Sequence, residues 1–329
     1  VARFNPVVSR SNPTNFLDQP GSSGSKSNSS TRLPYMRAPD TLRNKLSVMS
    51  SLPVHYAAAA VNRAQRLNFA SGAVWRYPAI DKSKGVLLLI HGFRGNHHGL
   101  EPIAGALPDW EIFIPDLPGF GATQELEHIS LEAYSEWLKN VFEQMPETTV
   151  PIGHSFGTTV LARALANGLQ AQQAIMINPI AKANYYSSDP ANRIVKKYYE
   201  LARSNPKILS GRGFINLMNR ALIKTKAPDL KAWIAKQHQE NFSDFSSPRV
   251  AIEGFKVAGK YSVADFAERI SAEVLLITGN KDSIGAYKEQ KQLAKMFSNS
   301  RFEEIANLGH LLHYEAPEEV AKIIEDFVD

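Results

Sequence analysis

The sequence predicts an α/β protein: a mostly parallel sheet covered by helices on both faces, with a block of helices inserted late in the chain. Three observations lead there. The short, fully apolar segment at 85–90 (GVLLLI) and its counterpart at 274–278 (VLLIT) have the character of strands buried on both sides. Amphipathic stretches alternate with such segments, as the crossovers of a parallel sheet require. Residues 181–269 interrupt the alternation with helical patterns alone.

Residues 1–50 read as a flexible basic tail and lead-in. The stretch 19–31 (QPGSSGSKSNSST) is polar and rich in Gly and Ser, with nothing to bury. Most of the net charge of +5 sits here, because residues 1–38 set five Lys and Arg against Asp18 alone. The remainder is close to neutral, so no nucleic-acid surface is expected on the folded part. An organelle transit segment is the other reading of an acid-poor start containing Arg and Ser; the flexible extension is favoured. Leu42, Leu46 and Met49 suggest a helical lead-in over 40–65, broken at Pro53.

Strand material follows at 66–80, then strands at 85–90 and 111–115 (EIFIP). Leu131, Tyr134, Leu138, Val141 and Met145 recur at helical spacing on one apolar face. A strand at 148–152, a helix at 158–166 and a strand at 174–177 (AIMI) come next. Strand 274–278 resumes the pattern. The last helix has Pro317 in its first turn and Val320, Ile323, Ile324 and Phe327 on one face. The core is therefore expected at 51–180 and 270–329.

Within 181–269, Asp189-Pro190 starts a helix with Ile194, Val195, Tyr198 and Leu201 on one side, and Leu230, Trp233 and Ile234 mark a second. The block begins at the carboxyl end of a strand, where parallel sheets hold their ligands, so it is expected to cap the site. There are no cysteines, which excludes disulfides, thiol catalysis and cysteine-ligated metals and is compatible with a cytoplasmic protein. The apolar runs are far shorter than the roughly 18 residues of a membrane-spanning helix.

The chemistry concentrates in Gly153-His154-Ser155-Phe156-Gly157. A G-x-S-x-G segment between a strand and a helix forces the serine into a sharp turn, with its hydroxyl above the sheet and helix N–H groups nearby. A serine hydroxyl needs a base. Of nine histidines, His310 is the choice, because Asn307-Leu308-Gly309-His310 follows the strand-like 301–305 at the same sheet edge. Asp282, in the loop after strand 274–278, is placed to hold the imidazole in one tautomer. Asn178 occupies the rival position and lacks the charge, whereas Asp116 reads as a turn former accepting local N–H bonds.

Two N–H donors must face the developing oxyanion, each worth roughly 3 kcal/mol of barrier. Phe156 and Phe93, the latter in His91-Gly92-Phe93-Arg94-Gly95, are the candidates. The pair His97-His98 is read as a polar loop at the site mouth, with contact to a substrate acid group as the functional alternative and a metal less favoured. Trp233 is a further candidate for substrate contact. No metal or cofactor is expected, and a small molecule is the expected partner.

Together HGFRG at 91–95, DLPGFG at 116–121, GHSFG at 153–157, GNKD at 279–282 and NLGHLLHYEAPEE at 307–319 resemble the α/β-hydrolase superfamily over residues 85–329. The resemblance implies an eight-stranded core, a helical cap at 181–269, a triad of Ser155, Asp282 and His310, and Phe93 and Phe156 as oxyanion donors. Dehalogenases and epoxide hydrolases of this family use a carboxylate where Ser155 stands. Similar carbon–carbon hydrolases often carry a second glycine where Thr158 stands, and prolyl aminopeptidase-like members usually have a Gly-Gly-Ser-Trp turn. The expectation is a serine hydrolase that forms an acyl-enzyme from a small or medium carboxylic ester or thioester. A diketone hydrolase with the same triad and a non-hydrolytic small-molecule-binding protein are the alternatives.

Overall fold

Residues 40–329, apart from Ala70, are described by a computed structural model, with side chains from Ser51 onward except that of Ala191. The flexible reading of residues 1–39 lies outside the described residues. Helix α1 (Asp40–Val61) runs through Pro53 without the expected break. The missing N–H removes one intrahelical bond, and the alanines at 57–60 have the highest intrinsic helix propensity, so the helix continues past it.

Residues 50–329 form one compact unit around a sheet. The segment expected as strand at 66–80 is a hairpin, β1 (Gln65–Phe69) and β2 (Gly72–Tyr77), reversed at Gly72, whose φ of 141° only glycine adopts easily. Strand β3 (Val86–Ile90) leads through α2 (Glu101–Ala106) to β4 (Glu111–Pro115). Helix α3 (Leu131–Phe142), with Ser130 as its N-cap, precedes β5 (Val150–His154), α4 (Phe156–Ala166) and β6 (Gln173–Ile177). Four inserted helices follow: α5 (Pro190–Ser204), α6 (Arg212–Leu222), α7 (Pro228–Asn241) and α8 (Pro248–Lys260). The chain closes with β7 (Glu273–Gly279), α9 (Tyr287–Leu293), β8 (Ser300–Ile305), α10 (Leu312–Glu315) and α11 (Pro317–Val328).

The sheet order is β1-β2-β4-β3-β5-β6-β7-β8, antiparallel at the hairpin and parallel from β4 onward. Residues of β3 show why its sequence is apolar throughout. Leu88 and Ile90 pack with Tyr134 and Leu138 of α3 and Val160 of α4, whereas Leu87 and Leu89 pack with Ile103 of α2 and Val320 and Ile324 of α11. Successive side chains enter opposite cores, and burying each is worth about 1.5–3 kcal/mol.

The inserted helices have smaller cores of their own. Leu230 and Ile234 of α7 are buried against Leu311 and Tyr314, as their spacing predicts. On α5 the predicted face is rotated: Ile194 and Leu201 are 63% and 55% exposed, while Tyr199 and Ala202 are buried and Val195 and Tyr198 pack beside them. The 3.6-residue period fits 195, 198, 199 and 202 equally well, and Phe255 of α8, stacked on Tyr199, decides between the two stripes. Among the described residues, no helix is long and apolar enough to cross a membrane.

Candidate active site

Four neighbouring parallel strands, β5 to β8, end at one edge of the sheet and deliver four polar side chains there. Ser155 lies between β5 and α4 with φ 53° and ψ −123°, a strained conformation for a residue with a side chain. Its flanking glycines are obligatory. A Cβ on Gly153 would lie 2.8 Å from the Cα of Thr158, and one on Gly157 would lie 2.4 Å from the carbonyl oxygen of Ile90. Thr158 steadies the turn by donating its hydroxyl to the Ser155 carbonyl at 2.6 Å.

His310 reaches this serine from the loop after β8, with Nε2 2.7 Å from Ser155 Oγ. Its Nδ1 lies 3.0 Å from both carboxylate oxygens of Asp282, in the loop after β7. That carboxylate is buried, and it also accepts the N–H groups of Ile284 and Gly285, each at 2.9 Å, and the side-chain amide of Gln290 at 3.1 Å. Burial alone would raise the carboxyl pKa. The His310 imidazole and these donors outweigh it, so the Asp282 pKa falls below its ordinary value and the group stays ionised. An ionised Asp282 fixes the proton on Nδ1 and leaves the Nε2 lone pair toward the serine hydroxyl.

Asn178, at the end of β6, lacks the charge of an acid and serves as a brace. With φ 46°, it donates its side-chain amide to the carbonyl of Gly309 at 3.1 Å and accepts the N–H of Gly279 at 3.0 Å. His154 adds a second tie, its Nε2 3.1 Å from the carbonyl oxygen of His310. Burial, then the neighbouring His310, pushes the His154 pKa down to about 3, so this ring is a neutral donor there.

The loop after β3 approaches from the other side. Nε2 of His91 accepts the N–H of Leu117 at 2.8 Å, which leaves Nδ1 to donate to the Gly92 carbonyl, also at 2.8 Å. A Cβ on Gly92 would come within 3.0 Å of Ser155 Cβ, so this position must be small. Phe93 and Phe156 both border the cavity at Ser155, a space of about 240 Å³. The N–H of Phe156 is the first of α4, which by position has no intrahelical acceptor.

The family profile described as "Alpha/beta hydrolase family" matches residues 87–323. The chain belongs to that family. This α/β-hydrolase is 24% identical over 263 residues to a biotin biosynthesis bifunctional protein of Cellvibrio japonicus, covering 75% of its own length and 48% of the relative's, so it spans about half of that protein. It is 23% identical over 231 residues to a pimeloyl-[acyl-carrier protein] methyl ester esterase of Legionella pneumophila, covering 68% of its own chain and 87% of the relative. Its fold matches the structure of an esterase from Exiguobacterium antarcticum with a TM-score of 0.66 at 14% identity, over 80% of this chain and 98% of that one.

Three sequence-predicted contacts are not brought to the cavity. His97 is buried, stacked on Trp75 with ring centroids 4.0 Å apart, and its Nδ1 lies 2.8 Å from Asp116. His98 turns to Glu101 instead, with Nδ1 3.0 Å from the carboxylate. Trp233 packs edge-on against Tyr314. None of the three lines the cavity beside Ser155. The short helical turn at 97–100 points both imidazoles back toward β2 and α2, which the sequence does not disclose. His97, His98 and Glu101 each bring one potential ligand atom within 4.8 Å of the others, so a carboxylate stands beside the pair.

Asp116 does more than accept a local bond. It takes the N–H of Ala122 at 3.0 Å, as expected of a turn former, and also the N–H of His97 at 2.8 Å and the Trp75 indole N–H at 3.2 Å. Burial opposes its ionisation, but the bond and charge of His97, with His91 and Ala122, bring its pKa down to about 2. Arg94 and Phe255 line the cavity and were missed. The only sequence signal for Arg94 was its place inside the HGFRG loop.

Proposed function

We propose that this α/β-hydrolase is a serine hydrolase that cleaves a small or medium carboxylic ester or thioester through an acyl-enzyme. The observation that carries the reading is the 2.7 Å approach of His310 Nε2 to Ser155 Oγ, with Nδ1 held by an ionised Asp282. Ser155 Oγ attacks the carbonyl carbon while His310 Nε2 takes its proton. The carbonyl oxygen becomes an alkoxide facing the N–H groups of Phe93 and Phe156. Collapse of the tetrahedral species expels the alcohol or thiol, which receives the proton from His310. Water, deprotonated by the same nitrogen, then attacks the acyl carbon, and the acid leaves as Ser155 regains its proton.

Residues 181–269 act as the cap in this reading, because side chains from α5, α6, α7 and α8 share the cavity with Ser155 and His310. The core comprises 51–180 and 270–329. The name of the Legionella pneumophila relative, a methyl ester esterase, supports an ester as the bond cleaved. A fluorophosphonate probe tests the proposal. The wild-type protein is expected to take one label at Ser155 and the Ser155→Ala variant none. Folded wild-type protein that stays unlabelled, or a variant that is still labelled, would overturn the assignment.

A further inference from the structure

We propose that the cavity beside Ser155 selects esters whose apolar body ends in an anionic group, with Lys196 receiving the charge and Arg94 supplying a buried positive potential. The inference rests on the serine-hydrolase reading and adds the substrate class.

The cavity is lined by Phe93 and Arg94 from the loop after β3 and, from the insertion, by Tyr185, Lys196, Tyr199 and Phe255, among others. Among the described residues no aspartate or glutamate lines it, and Arg94 and Lys196 are the permanently charged side chains that do. Arg94 is only 1% exposed, yet every partner of its guanidinium is neutral. Nε donates to the Phe242 carbonyl at 2.9 Å and Nη1 to the Tyr199 hydroxyl at 3.2 Å. Nη2 donates to the Leu209 carbonyl at 2.6 Å and more weakly to Ser243 Oγ at 3.4 Å. The ring of Phe242 lies 4.6 Å from the guanidinium carbon.

A guanidinium has five N–H donors. Here their hydrogen bonds all go to neutral oxygens, and the Tyr198 hydroxyl, also neutral, interacts with the group as well. The arginine ion pairs among the described residues involve other arginines. The carboxylate of Asp244 in the adjoining loop is taken by the side-chain amide of Asn96 at 2.9 Å. Neutral acceptors and an aromatic face satisfy the geometry of Arg94 without cancelling its charge. Its positive potential therefore reaches into a cavity whose walls screen it poorly.

Lys196, half-buried on α5, has its ammonium 4.7 Å above the ring of Tyr185 and no ion pair among the described residues. An aromatic row joins the two cations. Tyr185 meets Phe255 at 5.9 Å, Phe255 stacks on Tyr199 at 4.0 Å, and Tyr199 holds Arg94. An apolar substrate body fits along this row with its ester carbonyl at Ser155. Lys196, on a flexible stem and with its donors uncommitted, is the side chain suited to meet a terminal carboxylate or phosphate.

The full chain is assayed with pairs of 4-nitrophenyl esters of equal acyl length, one ending in a methyl group and the other in a carboxylate. The anionic ester is expected to show about tenfold higher kcat/KM at low salt, with the preference shrinking as ionic strength rises. Lys196→Gln is expected to reduce the preference severalfold and Lys196→Glu to invert it. Equal rates on the two esters, or an undiminished preference in Lys196→Glu, would overturn the inference. Fluorophosphonate labelling of the same samples separates the failures. A labelled enzyme without charge preference refutes the substrate class alone, whereas an unlabelled and inert one takes both readings down.

Discussion

At Asp282, two backbone N–H groups, a glutamine amide and the imidazole N–H of His310 all donate to one carboxylate. An amide in its place would present its own donors to some of these. His310 would then be free to carry its proton on Nε2, where it can no longer accept from Ser155. Asp282→Asn is therefore expected to leave the circular dichroism spectrum unchanged and to slow ester turnover about 10⁴-fold. An undiminished rate would point to a different acid. The meeting of Ser155, Asp282 and His310 within hydrogen-bonding distance was legible in the sequence, because their chemistry restricts residue type and strand ends restrict position. His97, His98 and Trp233 were misplaced for the complementary reason: whether a polar side chain faces a cavity depends on the local path of the chain. Arg94 escaped notice because its partners lie more than a hundred residues away, at Tyr199, Leu209 and Phe242.

Among the elements, α2 and α1 meet backbone to backbone. A Cβ on Gly105 would lie 1.9 Å from the carbonyl oxygen of Tyr56, an atom with no freedom to yield. Gly105→Ala is expected to destabilise the protein by about 1–3 kcal/mol, read as a thermal midpoint several degrees lower. Gly213, in the first turn of α6, has nothing within 4 Å of the same construction. Gly213→Ala should hold or raise the midpoint, by up to about 1 kcal/mol of stability. Equal effects at the two positions would refute the packing argument. Buried strands such as β3 were readable because two-sided burial leaves no room for polar residues. The unbroken α1, the hairpin of β1 and β2 and the rotated face of α5 were not, since tertiary partners settled what local preference left open.

Across the whole molecule, among the described residues, four buried histidines beside the candidate site have a lowered pKa, at 91, 154, 238 and 313. Burial is the first cause in each case. It lowers the His238 pKa to about 4 and, with the charge of His310, the His154 pKa to about 3; His313 falls well below its usual value through burial and its histidine neighbours. The folded state thus binds these protons less readily than the unfolded chain, whose histidines titrate near 6.5. Stability is complete above that pH and is lost as pH falls from about 6.5 toward 4 and 3. In the middle of that window each such group contributes up to about 1.4 kcal/mol per pH unit. The thermal midpoint is expected to drop steeply between roughly pH 6 and pH 4, a range set by these shifts. A flat profile there would show that the rings take up protons without opening the core.

The two bonds of Asn178 have a mechanical consequence. This one amide fastens the segments that bear Asp282 and His310 to the strand next to that of Ser155, tying the three side chains into one frame. For the proposed reaction this means that the distance the proton must cross is set at the sheet edge and not by the inserted helices.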